Sequence, residues 1–370
     1  MDRLTFDVSG VRGVIGTALT PVAACQFGCA FGTMLGAGKT VVVARDPRRS
    51  GPMIRNAVTA GLLAAGLNVV DLGVVTTPGA AFMTARLQAD GGVVVTACDR
   101  PIEQNGLKFL QPGGACLTAG GIAKLQAIRR SERFVLADAE HQGAESQDKT
   151  THGRHVDAVA GAVDALGIAA RRFKVVLDSV NGAGCVVTPM FLGRLGCEVA
   201  HLNAEATGRF AHRPELSQDN LRELCEAVRK HAAAVGFAQD ADADRLALVD
   251  EGGRFIGAEV TLALTTSYVL RHRRGKVAAG PATSRMIDDV AAAAGCEVVR
   301  TDPGEANIAE AMQRQQCIFG GEGGGVIEPR IAPVPSSLVA IAYVLQLMAE
   351  TGKSVSRLVA ELPTGRAPAR

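Results

Sequence analysis

Val93-Val94-Val95-Thr96-Ala97-Cys98-Asp99-Arg100-Pro101, running on to Asn105-Gly106-Leu107-Lys108-Phe109, is an apolar run that ends abruptly in a polar turn. The turn carries a thiol, a carboxylate and a guanidinium, and a lysine follows ten residues after the thiol. A buried strand that delivers reactive side chains to its C-terminal end is how open α/β sheets build ligand sites. Outward from this stretch the same rhythm repeats. Residues 40–44, 67–71 and 92–96 read as strands, separated by helical patterns such as 53–65. Charged and small residues over 129–153 read as a boundary. The pattern restarts with a strand at 173–178, a turn at 181–184, a helix at 186–195 and a strand at 198–202. After Asp250 it restarts again, with a weak strand at 276–279, a helix at 284–294 and a strand at 297–301. Such alternation predicts α/β architecture, in three units of roughly 110–150 residues, a common domain size.

Length and composition agree. A chain of 370 residues exceeds what one hydrophobic core serves. With 47% apolar and 21% charged residues it is globular rather than disordered. Aromatics make up only 4%, the net charge is +2 and there is no basic stripe, so nucleic-acid binding is not expected. The Arg271-His272-Arg273-Arg274 cluster reads as solvated. Nine cysteines, several in apolar runs (Cys185, Cys197, Cys317) and none in a CxxC pair, suggest neither a disulfide framework nor a structural zinc site. No signal peptide or membrane span is read, and a reduced cytoplasmic protein is expected.

Three further segments carry chemistry. Gln239-Asp240-Ala241-Asp242-Ala243-Asp244-Arg245 places three hard oxygen donors in one loop after an apolar run. Such a cluster repels itself unless a cation holds it, and Mg²⁺ is the natural partner for carboxylates completed by phosphate oxygen; the plain alternative is an acidic surface turn. Ser9-Gly10-Val11-Arg12-Gly13 sets an arginine, the usual planar clamp for phosphate, between glycines. Gly320-Gly321-Glu322-Gly323-Gly324-Gly325 opens the backbone around one carboxylate, suited to vicinal sugar hydroxyls or merely to a flexible hairpin.

Together these segments resemble the α-D-phosphohexomutases, the phosphoglucomutase and phosphomannomutase family, from Phe6 to Pro363. The family's nucleophile loop reads Thr-Ala-Ser-His-Asn-Pro, its metal loop Asp-Gly-Asp-Gly-Asp-Arg and its N-terminal segment Thr-Ser-Gly-Ile-Arg-Gly, with Val8 here at the threonine position. The resemblance implies metal ligation by Asp240, Asp242 and Asp244, a phosphate-side role for Arg245 and Arg12, and an acid–base role for Lys108. It also implies sugar recognition by Glu322 beside a loop containing Gly304. Arg45-Asp46-Pro47-Arg48-Arg49-Ser50-Gly51 is similar to another family segment, and reads equally as a capped helix start. His212 falls in a family interdomain segment and is otherwise unremarked. The fold expected is three consecutive phosphohexomutase-type α/β domains with mixed, largely parallel sheets around a central cleft. Residues 1–140 would carry the nucleophile loop, 150–250 the metal-binding loop and 251–365 the sugar-binding loop.

Three departures bear on activity. Cys98 stands where the family has its phosphorylated serine, and sulfur is a soft ligand poorly matched to Mg²⁺. Asp99 and Arg100 replace histidine and asparagine. No Arg-x-Ser-x-Thr phosphate clamp is read before Arg370, so the clamp-bearing fourth domain is expected to be absent. Three readings stay open. One is a divergent member that binds Mg²⁺ and a hexose phosphate but interconverts hexose 1- and 6-phosphates poorly or not at all. Another is an active mutase or phosphatase working through phosphocysteine at Cys98, with a homo-oligomer or partner chain supplying the clamp. The last is a non-catalytic sensor or assembly subunit. If Cys98 reaches the aspartate loop, a softer ion than Mg²⁺ becomes a candidate.

Overall fold

The structure, a computed structural model, describes residues 4–7 and 10–363. Val8 and Ser9, and the segment from Thr364 to Arg370, lie outside the described residues.

The opening run becomes the strand Gly91–Val95, buried at every position, as a strand covered on both faces must be. It sits inside a seven-stranded sheet ordered Thr5–Asp7, Gly10–Val14, Gln104–Leu110, Gly91–Val95, Thr40–Arg45, Asn68–Val74, Glu145–Gln147. From Gly91–Val95 outward to Glu145–Gln147 the pairing is parallel; toward the N-terminal strands it is antiparallel. The supposed boundary thus contributes an edge strand, Glu145–Gln147, polar and exposed at every position, which is why no apolar pattern discloses it. Helices Pro21–Leu35 and Gly51–Ala64 lie together on one face around Phe27, Phe31, Val58 and Leu62. Helix Thr77–Arg86 packs with a separate cluster around Val42, Val94 and Leu110.

A five-stranded sheet follows in the order Phe255–Gly257, Leu246–Val249, Val235–Gln239, Lys174–Asp178, Glu198–Leu202, and then a four-stranded one ordered Val298–Arg300, Val277–Ala279, Phe319–Glu322, Gly325–Ile327. Both are mixed, with parallel pairs flanked by an antiparallel hairpin. These two units share one continuous core that includes Phe191, Phe237, Leu262, Phe319 and Tyr343. Helix Ser337–Thr351 runs through it, buried along almost its whole length, as an all-round apolar helix should be. The supposedly solvated arginine cluster is drawn partly inward. Arg273 pairs with the carboxylate of fully buried Glu328, which Tyr343 and Arg330 also contact.

The thiol, aspartate and glycine-rich segments become turns at strand ends, whereas Arg12 lies within strand Gly10–Val14 and Lys108 within Gln104–Leu110. Residues 96–103 join Gly91–Val95 to Gln104–Leu110 in a hairpin that sets Lys108 opposite Val94. Residues 240–245 close the hairpin between Val235–Gln239 and Leu246–Val249, where Gln239 faces Leu246. The glycine-rich segment is a tight hairpin rather than a loose one. Gly323 and Gly324 both have positive φ, +54° and +84°, the two-residue turn whose twist matches the flanking strands.

Candidate active site

Arg12 lies on strand Gly10–Val14, opposite Gly106 of Gln104–Leu110. A Cβ at position 106 would fall 2.6 Å from the Thr96 and Val11 carbonyl oxygens and 3.0 Å from Cγ of Arg12. The bare glycine therefore lets the arginine stem cross the strand, and its Nη2 comes within 3.8 Å of Cys98 Sγ.

Cys98 is buried and adopts φ +50°, the left-handed region, which costs a non-glycine residue about 1–2 kcal/mol. The surroundings over-determine it. Its N–H donates to Thr96 Oγ1 at 3.1 Å, and Arg48, fully buried, donates from Nη2 to the carbonyls of Cys98 and Arg100 at 2.9 and 2.8 Å. Asp46 holds Arg48 in turn, accepting from its backbone N–H at 2.9 Å and from Thr96 Oγ1 at 2.7 Å. The Arg48 guanidinium lies 4.7 Å from the Phe210 ring centroid. The segment that reads as either a capped helix start or a substrate contact is thus a buttress behind the thiol loop.

On the far side of the thiol lies the aspartate loop. Cys98 Sγ is 3.4 Å from Asp242 Oδ2 and 4.0 Å from Asp244 Oδ2. Lys108 Nζ, also buried, is 2.8 Å from Asp244 Oδ2, 3.6 Å from Asp242 Oδ2 and 3.2 Å from Glu305 Oε1. Asp240 organises the loop by accepting from the backbone N–H groups of Asp244 and Arg245 at 3.1 and 3.2 Å. Thr77 Oγ1 donates to Asp242 Oδ2, and Thr77 N–H to the Asp242 carbonyl.

Crowding splits these groups electrostatically. Burial, then the Asp244 charge, push Asp242 up to about 6 and Asp240 well above the carboxylate range. Burial opposes ionisation of Asp244 too, but Lys108 and Arg245 hold it down at about 2. For Lys108, burial is outweighed by the Asp244 charge, so the ammonium form is favoured. Burial and the Asp242 carboxylate push the Cys98 thiol well above its usual range.

Cation binding fits these residues. Asp240 Oδ2, Asp242 Oδ1 and Asp244 Oδ1 are buried without a hydrogen-bond partner, a costly arrangement unless a ligand satisfies them. Cys98, Asp242 and Asp244 form the one grouping of metal-ligating side chains found among the described residues, their ligand atoms within 4.8 Å of one another.

The third domain closes the cleft. Gly304 N–H donates to Glu322 Oε2 at 3.3 Å. Arg12, Cys98, Lys108, Asp244, Arg245, Gly304 and Glu322 line one cavity, with Glu305, Ile308 and Pro335; Asp240 and Asp242 stand fully buried behind it. The cavity therefore draws on the opening stretch and on all three further segments singled out above, apart from Ser9, which lies outside the described residues. Arg245 faces an unexpected neighbour: its Nη1 is 3.1 Å from Asp99 Oδ2. Thr77 is a structural participant that sequence reasoning does not single out, an ordinary residue at a helix start until the chain folds; Asp46 and Glu305 fall within segments that resemble the family, but their individual contacts are not legible there. His212 likewise has a partner, Asp178, at 3.0 Å.

All nine cysteines are free thiols, and no helix among the described residues is long and apolar enough to cross a membrane.

Comparison with known proteins places this geometry. Residues 3–135, 153–253 and 258–365 match, in order, the alpha/beta/alpha domains I, II and III described as phosphoglucomutase/phosphomannomutase. The phosphoglucomutase/phosphomannomutase of Thermococcus kodakarensis is 38% identical over 365 residues, covering 97% of this chain and 80% of the relative. A Methanopyrus kandleri protein named "Probable phosphoglucosamine mutase" is 37% identical, covering 97% and 79%. The crystal structure of a phosphoglucomutase/phosphomannomutase family protein from Burkholderia thailandensis superposes with a TM-score of 0.87 at 28% identity, over 97% of this chain and 79% of that one. With three consecutive domains matched in their family order, this chain belongs to the phosphoglucomutase/phosphomannomutase family of α-D-phosphohexomutases.

Proposed function

We propose that the protein binds a divalent cation, Mg²⁺ by the family pattern, and a hexose phosphate in the cleft. Its capacity to interconvert hexose 1- and 6-phosphates is impaired or lost. The observation that carries this reading is Cys98, held at φ +50° with its sulfur 3.4 Å from Asp242 at the position of the family's phosphorylated serine.

In this reading Arg12 and Arg245 receive phosphate oxygens, Glu322 and the Gly304 backbone receive sugar hydroxyls, and Lys108 moves a proton at the bridging oxygen. A cation held by Asp240, Asp242 and Asp244 supplies charge neutralisation at phosphate oxygen when bound. Three features oppose phosphoryl transfer through Cys98. The thiol is buried among carboxylates that disfavour its ionisation. Its sulfur is a mismatched neighbour for a hard cation. Asp99 engages the Arg245 guanidinium and adds negative charge where a phosphate dianion must enter.

A coupled assay of glucose 1-phosphate and mannose 1-phosphate conversion, run with the matching bisphosphate primer and Mg²⁺, tests the reading. Background turnover is expected, together with measurable heat of sugar-phosphate binding by calorimetry. Robust turnover would overturn the impairment. Absence of binding would overturn the ligand.

A further inference from the structure

We propose that the Cys98 thiol is itself a metal ligand, and that with Asp242 and Asp244 it forms a mixed sulfur–oxygen site. Such a site selects a thiophilic divalent ion, zinc above all, over Mg²⁺. The proposal rests on reading the aspartate loop as a cation site; it does not rest on sugar-phosphate binding or turnover.

Geometry carries it. For a tetrahedral ion with metal–sulfur near 2.3 Å and metal–oxygen near 2.0 Å, the sulfur–oxygen edge is about 3.5 Å. Cys98 Sγ stands 3.4 Å from Asp242 Oδ2 and 4.0 Å from Asp244 Oδ2, and the three ligand atoms lie within 4.8 Å of one another. A second, independent observation points to a ligand. Asp240, Asp242 and Asp244, at 0%, 0% and 2% exposure, each keep one buried carboxylate oxygen with no partner, Asp240 Oδ2 and the Oδ1 atoms of the other two, beyond the Oδ2 atoms that face the sulfur.

Lys108 is the resident cation beside these carboxylates, but it does not block the site. Its ammonium also reaches Glu305 at 3.2 Å, so an ion taking up Asp244 leaves the lysine paired. Ion binding breaks the S–H bond, the proton leaving to solvent and the sulfur lone pair entering the metal. A thiolate donor favours zinc and disfavours Mg²⁺, whose affinity is for hard oxygen in an octahedral shell. Because Cys98 belongs to the first domain and the aspartates to the second, such an ion would also tie the two together.

The test uses the full-length protein stripped with a chelator and titrated with Co²⁺, which reports sulfur ligation through a near-ultraviolet thiolate-to-cobalt charge-transfer band. The band should saturate at one ion per chain, vanish in Cys98→Ser and persist in Cys116→Ser. One equivalent of Zn²⁺ should quench it, whereas about a hundredfold excess of Mg²⁺ should not. Zinc affinity should fall at least about a hundredfold in Cys98→Ser, at or beyond the range lost with an outer-sphere partner. A band retained in Cys98→Ser, or displaced by Mg²⁺, overturns the proposal. Should Cys98→Ser fail to keep the wild-type melting profile, Asp242→Asn must weaken the same band; an unchanged band there overturns it equally. If Mg²⁺ binds and Co²⁺ gives no thiolate band, the sulfur ligand alone is refuted. If no divalent ion binds, the cation-site reading beneath it falls.

Discussion

Lys108 and Asp244 meet across the boundary between the first and second domains, Nζ to Oδ2 at 2.8 Å, with both side chains almost wholly buried. Removing one member of a buried pair leaves an uncompensated charge, which costs about 3–5 kcal/mol. Lys108→Met should therefore lower stability by that order in denaturant unfolding, and the double variant Lys108→Met/Asp244→Asn should recover part of the loss. A silent single variant would mean that the pair contributes nothing to docking the two domains.

Arg48 acts on the thiol loop from behind. Its Nη2 supports two carbonyls, those of Cys98 and Arg100, while the guanidinium plane lies over Phe210. Lysine lacks the planar guanidinium that reaches both carbonyls while lying over the ring, so Arg48→Lys should cost about 2–3 kcal/mol in thermal or denaturant unfolding. It should also speed the reaction of Cys98 with a thiol reagent. Unchanged thiol reactivity would remove the buttress role.

The Asp99–Arg245 contact is partly exposed, with side-chain exposures of 30% and 45%, and such pairs are worth at most about 1 kcal/mol. Asp99→Asn frees the guanidinium for an anion and should tighten inorganic phosphate binding by up to about fivefold at low salt. The gain should shrink as ionic strength rises. Weaker binding by the variant would show that Asp99 helps to orient Arg245 rather than competing for it.

His212 gives a pH dependence of definite sign. Burial alone would lower its proton affinity, but the hydrogen bond and charge of Asp178 outweigh burial and raise it. A folded value above the unfolded one, about 6.5, stabilises fully below that pH and loses the contribution as pH rises through the folded value. The stability advantage of wild type over His212→Gln should thus be larger at about pH 6 than at about pH 8.5, measured by thermal unfolding. An advantage that grows with pH would contradict the assignment.

Much of the fold is legible in the chain because apolar rhythm records burial. The strand Gly91–Val95 is buried on both faces and reads as an unbroken apolar run, and Glu198–Leu202 falls where the restart of the pattern places it. Glu145–Gln147 does not, because an exposed edge strand carries no hydrophobic signature. At the site, the aspartate triplet is visible since three alternate carboxylates have few structural uses. Thr77 is invisible, and the individual roles of Asp46 and Glu305 are too, since they arise only when Asp242, Thr96 and Lys108 arrive from distant segments. The pairing of Asp99 with Arg245 belongs to the same class: each residue is legible alone, and the contact between them is a product of folding.

The most direct test of the central claim is intact-mass analysis of wild type beside Cys98→Ser after incubation with glucose 1,6-bisphosphate and Mg²⁺. This half-reaction asks only whether position 98 accepts a phosphoryl group, without requiring the sugar to turn over in the cleft. Cys98→Ser should gain one phosphate, mapped to position 98, while wild type stays unmodified. A phosphate on Cys98 of the wild-type protein would contradict the account.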